Sequence, residues 1–229
     1  MMNNEKKDFM VSIVLVGKFQ PGMFHPFWFW KNDVLTEEEC KKVTDSTEQP
    51  FVISNNLSAF QTDKYTFRIT QDRFVIILNT KPYELIIDAF NKIFDSLSTI
   101  PVVAYGLNFT FRIEYGAKTM QRIGKKLAPR KYWGSFFDDE IEPMQDGLTH
   151  ISMKRVEKFG AVNISLQPSR NADEPGVIFE FNFHHEKKDK EDFDVAYIES
   201  VIASQYEEYY PIAMRLTDEI VERVTSYED

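Results

Sequence analysis

An almost unbroken apolar run near the start of the chain limits the folds that this sequence can adopt. Residues 9–16 read Phe-Met-Val-Ser-Ile-Val-Leu-Val, a segment rich in β-branched side chains that ends at Gly17. Such a run is typical of a strand in the interior of a sheet, where both of its faces are covered. We therefore expect a central strand here, within a sheet of several strands.

The rest of the sequence alternates strand patterns with a few helix patterns. Strand patterns cover 51–60, 65–70, 73–79 and 102–115 and resume at Leu148, with clear alternation over 162–167 and 177–184. Helix patterns cover 36–43, 82–97 and 195–225, and Pro211 should kink or interrupt the last of them. Neighbouring strands with short turns predict an α+β fold, a mostly antiparallel multi-stranded sheet with two main helices packed on one face.

The order of these patterns also predicts how the chain is divided. Three strands followed by a helix occur twice, from 51 to 97 and from 148 to 225, which suggests a βββα pseudo-repeat. We expect a single domain over 1–229, with halves at about 9–115 and 148–229 joined by a charged connector, 116–147. The 20 Phe, 10 Tyr and 3 Trp predict a core dominated by rings.

Charge and cysteine content limit the classes of partner and the cellular compartment that we expect. A net charge of −9 argues against duplex nucleic acid as the main partner, because such proteins are usually basic. The single cysteine, Cys40, cannot form an intramolecular disulfide or a cysteine-based zinc site, which fits a reducing compartment. Thr36 and Glu39 have the spacing of a helix capping box, so Cys40 reads as an ordinary helix residue. With no apolar stretch of membrane-spanning length and no apolar signal region, we expect a cytoplasmic protein.

Alternation along the strands places polar side chains on the sheet face that does not pack on helices. Solvation alone explains such a face, but a partner or ligand surface, or a face that pairs with a second copy, explains it too. The candidate contacts on this polar face are Arg68, Arg112, Glu114, Glu180, Asn182 and His184. A further hypothesis is that the protein is a small-molecule or nucleotide sensor, with its ligand between Arg68 and Arg112.

A dense aromatic segment follows the first strand. Residues 19–30 hold six rings, and Pro21, Gly22 and Pro26 prevent a regular helix through the first part. Most of these rings should enter the core, and those left exposed would mark a protein interface. The candidate interface residues are Phe24, Phe27, Trp28 and Trp30.

A basic stretch opens the connector. It contains Lys118, Arg122, Lys125, Lys126, Arg130 and Lys131 with no acidic residue among them, and Tyr132 and Trp133 follow. Lysines beside exposed rings could bind phosphates and stack a base. Alternatively, the carboxylates of Asp138, Asp139, Glu140, Glu142 and Asp146 neutralise the stretch.

Catalytic signatures are scarce. The sequence lacks a phosphate-binding glycine loop, a dinucleotide-binding Gly-x-Gly-x-x-Gly, a Gly-x-Ser-x-Gly and a His-Glu-x-x-His, so we expect no cofactor and no metal. His184 and His185 are adjacent on a strand and should point to opposite faces, so they cannot share a metal ion. Asp173 and Glu180 faintly match the acidic hairpin of restriction-type nucleases, although Asn182 stands where a lysine is normally found.

Two short segments carry a family resemblance. Tyr105-Gly106-Leu107-Asn108-Phe109 looks like the glycine-leucine-arginine-tyrosine-x-asparagine strand of an uncharacterised, sporadically distributed bacterial family, without its arginine and tyrosine. Arg215-Leu216-Thr217-Asp218-Glu219 resembles part of the final helix of that family. The resemblance implies no known activity, and it implies a gene context near phage-defence or mobile-element genes.

These patterns favour a non-enzymatic cytoplasmic binding or assembly protein that joins a protein partner or a copy of itself. One alternative is a metal-dependent enzyme that processes nucleic acid, and the other is the sensor described above. No membrane partner is expected.

Overall fold

The computed structural model describes residues 8–47, 51–95, 97, 100–134, 148–169, 176–187 and 193–226. Within these ranges the strands are β1 (Asp8–Gly17), β2 (Val52–Ile53), β3 (Leu57–Gln61), β4 (Tyr65–Thr70), β5 (Arg73–Leu78), β6 (Val102–Glu114), β7 (Ile151–Glu157), β8 (Gly160–Pro168) and β9 (Gly176–Glu186). The α-helices are α1 (Pro26–Lys31), α2 (Glu37–Asp45), α3 (Leu85–Phe94), α4 (Ala117–Leu127) and α5 (Val195–Thr225).

The nine strands form one antiparallel sheet in the order β2-β3-β4-β5-β1-β6-β9-β8-β7. The main helices α3 and α5 pack on one side of it, against β1, β5, β6 and β9. The predicted α+β class is therefore confirmed. The apolar run forms β1, which occupies the central position expected of it.

The two sides of β1 are not equally buried. Val11, Ile13 and Leu15 face the helices and are at most 1% exposed. On the other side Val14 is half-buried, and Met10 is 40% exposed. The expectation that both sides of this strand are covered is thus wrong for the described residues, because the helices occupy one side of the sheet only.

Apart from the short strand β2 and the helices α1, α2 and α4, the two halves of the chain have the same topology. In the first half β1 pairs with β5, the last of the strands that precede α3. In the second half β6 pairs with β9, the last of the strands that precede α5. Because β1 and β6 lie antiparallel at the centre, a pseudo-two-fold axis passes between them, normal to the sheet. This confirms the predicted βββα pseudo-repeat as a structural feature.

The core is one cluster to which both halves contribute, and it is dominated by rings as the composition predicts. Phe74 of β5 contacts Phe94 of α3, with 5.2 Å between the ring centroids. Phe183 of β9 stacks on Tyr209 of α5 at 4.3 Å. The hydrophobic core therefore lies between the sheet and the helices α3 and α5.

Several local predictions differ from the structure. Residues 51–60 form two short strands rather than one, because Ser54 Oγ accepts from the backbone N–H groups of Asn56 and Leu57 and closes a turn between them. Helix α5 continues through Pro211 instead of stopping there. Because proline has no N–H, the carbonyl of Glu207 lacks its usual helix partner at Pro211. Both residues are exposed, so water can reach that carbonyl.

The capping box of α2 is present as predicted. Thr36 Oγ1 accepts from the Glu39 N–H at 3.1 Å, and Glu39 Oε2 accepts from the Thr36 N–H at 2.9 Å. Cys40 is buried in this helix. No helix in the described part of the chain combines the length and the apolar character needed to cross a membrane.

Candidate binding face of the sheet

The candidate site is the side of the sheet turned away from α3 and α5, called here the open face. Strand register brings Ser12, Asn108, Asn182 and Asn163 side by side on β1, β6, β9 and β8. Alternation along each strand predicts that they share a face, but only the pairing of four strands places them in one row.

These four side chains form a hydrogen-bonded row, the amide ladder. Asn163 Nδ2 donates to Asn182 Oδ1 at 3.2 Å, Asn182 Nδ2 donates to Asn108 Oδ1, and Asn108 Nδ2 donates to Ser12 Oγ at 3.0 Å. An amide has two N–H donors and a carbonyl with two lone pairs. Each amide therefore keeps hydrogen-bonding capacity for a molecule that lies on the open face.

Small residues lie next to the amide ladder. The neighbouring row consists of Val14, Gly106, His184 and Ala161, of which Gly106 and Ala161 are buried. A Cβ atom on Gly106 would come within 3.1 Å of Asn182 Nδ2, closer than nearly all ordinary contacts. Glycine at this position therefore leaves room for the amide that continues the ladder.

Aliphatic side chains occupy the other part of the open face. Val14 and Val16 of β1 and Val75 and Ile77 of β5 form the aliphatic strip, and all four are half-buried. In the described part of the chain, α3 and α5 pack on the opposite side of these strands. Contiguous apolar surface is uncommon on a monomeric protein and usually marks an interface.

The six polar-face residues predicted from sequence all lie on the open face, but they do not form one cluster. Glu180 accepts a hydrogen bond from Ser165 Oγ at 2.9 Å. His184 Nε2 lies 3.5 Å from Glu186 Oε2. Arg68 is exposed, whereas Arg112 and Glu114 are half-buried towards the end of β6.

Register also separates the two arginines of the sensor hypothesis. Arg68 lies in the row of Gly106, three strands away, and Arg112 is six residues further along β6. With strands about 4.8 Å apart and a rise of about 3.3 Å per residue, their Cα atoms are about 25 Å apart. Arg68 and Arg112 therefore do not converge on one pocket.

His185 lies on the opposite side of the sheet from His184, as predicted. It is 4% exposed, and its ring stacks on Tyr105 at 4.4 Å and on Phe159 at 4.6 Å. Its Nε2 is 3.3 Å from the Tyr209 hydroxyl. Burial, with a smaller effect of His184, lowers the pKa of His185 to about 4. His185 is thus a neutral core residue over most of the pH range.

Among the described residues, no group of three or more His, Cys, Asp or Glu side chains could hold a metal ion. Asp173, which the nuclease hypothesis requires, lies outside the described residues. The metal-dependent alternative therefore stays a prediction.

The aromatic segment divides between core and surface. Phe27 is 49% exposed, and Trp28 and Trp30 are half-buried. The expectation that Phe24 contributes to an interface is wrong, because it is fully buried against Phe74. A short 3-10 helix, Pro21–Met23, directs the Phe24 side chain inward. The Phe24 carbonyl accepts a hydrogen bond from Ser58 Oγ.

The exposed side of α1 keeps the other aromatic candidates. Lys31 Nζ lies 4.2 Å from the Trp30 ring centroid and 5.3 Å from that of Phe27. An open hollow of about 340 Å³ lies beside Trp30 and is lined also by Lys64 and by Tyr65, the first residue of β4.

The basic stretch predicted as a connector begins with a helix, α4, which the sequence pattern did not reveal. Lys118, Arg122, Lys125 and Lys126 lie on α4, and Lys131 follows it. The side chain of Arg130 and the acidic residues of 138–146 lie outside the described residues. Whether those acids neutralise the basic stretch stays a prediction.

Sequence reasoning missed several residues of the open face. Ser12 was detectable, since it is the single polar residue in the apolar run. The sequence did not reveal Val14, Val16 and Val75 as open-face residues, because their apolar character suggested a covered strand.

No family model matches the chain, and no curated protein matches it.

Proposed function

We propose that this protein is a non-enzymatic assembly protein that forms a homodimer through the open face of its sheet. The observation that carries the proposal is the aliphatic strip lying beside the amide ladder. An apolar centre flanked by hydrogen-bonding and charged groups is the usual anatomy of a protein interface. The single cysteine is consistent with a cytoplasmic setting for this assembly.

The open face is large enough for a stable dimer. Seven strands, β3 to β8 in the sheet order, span about 34 Å at about 4.8 Å per strand. These seven strands average between eight and nine residues, or about 28 Å, which gives roughly 950 Å² per copy. Stable interfaces bury about 800 Å² per partner, so a second copy lying on this face reaches the required size.

The pattern of side-chain sizes on the open face is self-complementary. Consider a two-fold axis that runs along the strands, between the two faces and over the boundary of β1 and β6. Because Val14 is paired with Gly106 and Val16 with Ala104, this axis lays the two valines of one copy over the two small residues of the other. Protruding side chains thus meet shallow places, as close packing requires.

The charges fit the same arrangement. Arg73 of β5 and Glu186 of β9 lie in one row, at equal distances from the β1–β6 boundary. The two-fold axis therefore brings Arg73 of each copy opposite Glu186 of the other. The same axis lays Asn108 over the Ser12 side chain of the other copy, whose hydroxyl can donate or accept a hydrogen bond. These features favour a second copy over an unrelated protein.

The test is the oligomeric state of the purified chain and its variants by sedimentation equilibrium. We expect a dimer, and Val14→Glu should weaken it more than tenfold because the interface would bury an unpaired carboxylate. Met153→Glu is the matched control, since Met153 is 69% exposed on the other side of the sheet. A monomer at all concentrations, or equal effects of the two variants, would refute the proposal.

A charge exchange makes the test specific for self-association. Arg73→Glu alone and Glu186→Arg alone should each weaken the dimer by about threefold to tenfold, because like charges then face each other. The double variant should restore the wild-type dissociation constant, since both symmetric pairs are rebuilt. Additive weakening in the double variant would rule out the pairing of these two residues across a two-fold axis.

A further inference from the structure

The surface formed by α4 and the turn after it is basic, although the whole protein is acidic. Residues 116–134 contain six Lys and Arg and no Asp or Glu, in a chain of net charge −9. Lys118 and Lys125 are exposed, and their separation of seven residues places them on one side of α4. Lys131 is exposed just beyond the helix. All three lysines thus lie on α4 or within four residues of its last residue, Leu127.

Two aromatic rings extend this surface. Tyr132 is 75% exposed and Trp133 is 63% exposed, more than any other aromatic side chain in the described part of the protein. Lys131 Nζ lies 5.0 Å from the Tyr132 ring centroid. Two adjacent exposed rings beside lysine side chains offer surfaces on which the rings of a ligand can stack.

The way α4 is anchored distinguishes between anionic partners. Ile123 is 3% exposed, and Met120 and Leu127 pack against the core. Lys126 Nζ donates to the Ser226 carbonyl at 3.2 Å, at the end of α5. Because the apolar side of α4 is already used inside the protein, the helix cannot insert that side into a lipid bilayer as a membrane-bound amphipathic helix does.

We propose that the surface of Lys118, Lys125, Lys131, Tyr132 and Trp133 binds single-stranded nucleic acid. The lysines contact the phosphates and the two rings stack on bases, the combination used by proteins that bind single strands without reading their sequence. Exposed bases suit Tyr132 and Trp133, whereas the bases of a duplex are stacked on each other. This site is separate from the open face and does not depend on the proposed dimer.

The experiment is fluorescence anisotropy of labelled 12-nucleotide oligothymidylate and oligouridylate with the full chain. Three phosphate contacts predict that raising the salt from 50 to 200 mM weakens binding by roughly 20-fold. Trp133→Ala should weaken binding by about fivefold or more, because it removes one stacking partner. The double variant Lys118→Glu, Lys125→Glu should weaken binding further and reduce the salt dependence.

Two control variants separate a local site from general charge. Lys41→Glu with Lys42→Glu on α2 changes the net charge by the same amount at another exposed place, and we expect it to leave binding within twofold. Tyr197→Ala, which removes a ring that is 50% exposed on α5, should also have no effect. Circular dichroism confirms that each variant is folded.

Three results would overturn the inference. The first is no binding of either oligonucleotide at 50 mM salt. The second is equal weakening by the α2 control and the α4 variant, which would show a general effect of charge. The third is binding to vesicles of anionic phosphatidylserine that depends on Trp133 while the oligonucleotides do not bind, which would assign the surface to a membrane.

Discussion

The buried His185 makes the stability of the fold depend on pH in a calculable way. Its pKa is about 4 in the folded protein and 6.5 for an unperturbed histidine, so between these values the unfolded chain binds a proton that the folded protein does not. The free energy of unfolding therefore falls as the pH decreases from about 6.5 to about 4. Between pH 7.5 and pH 5.0, His185 alone should lower the free energy of unfolding by about 2 kcal/mol.

The assay is urea unfolding followed by circular dichroism at both pH values and one protein concentration. His185→Phe keeps a ring between Tyr105 and Phe159, and it should lose about 2 kcal/mol less than the wild type on acidification, whatever its stability at pH 7.5. Tyr197→Ala is the control, because it removes an exposed ring on α5, and it should lose as much free energy of unfolding on acidification as the wild type.

The reasoning would be refuted if wild type and His185→Phe lost the same free energy between the two pH values. If His185→Phe does not fold, the protonation of His185 can be measured directly in the wild-type protein. In the wild-type protein, the nuclear magnetic resonance signal of the His185 ring should not titrate between pH 7.5 and pH 5.0. A midpoint near 6.5 would contradict the low pKa.

Further predictions concern stability and the open face. Phe24→Ala should lower the free energy of unfolding by about 3–5 kcal/mol because it leaves a cavity in the core, whereas Phe27→Ala should lower it by less than about 1 kcal/mol; urea unfolding compares the two. Thr36→Ala removes the cap of α2 and should cost about 1 kcal/mol in the same assay, and an unchanged midpoint would contradict that capping. Gly106→Val should weaken the dimer more than tenfold in sedimentation, because its side chain displaces the Asn182 amide and fills the place of Val14 from the second copy; a dimer of wild-type strength would exclude that packing.

Local patterns predicted the local structure well. The capping box of Thr36 and Glu39 depends on residues three apart, and the strand alternation that separates Phe181 from Asn182 depends on the geometry of one strand. Both could therefore be read from the sequence without knowledge of the fold. The α+β class followed because neighbouring strands with short turns pair antiparallel.

Features that depend on distant parts of the chain could not be predicted. The amide ladder requires Asn108, Asn163 and Asn182 to align, and that alignment is set by the pairing of three strands. Phe24 became a core residue because a turn directs it inward, which the dense aromatic pattern does not show. In α4 the apolar residues Met120, Ile123 and Leu127 have helical spacing, but the many lysines around them favoured the interpretation of this stretch as a charged connector.

The pseudo-two-fold axis between β1 and β6 bears on the ancestry of the chain. A protein of half this length, consisting of one leading strand, three further strands and a helix, would leave the edge of its leading strand unpaired. Two identical copies would pair these edges antiparallel and produce a continuous sheet with the central arrangement observed here. Joining the two copies by a linker would make that pairing intramolecular, after which each half could diverge in sequence while the central pairing is kept.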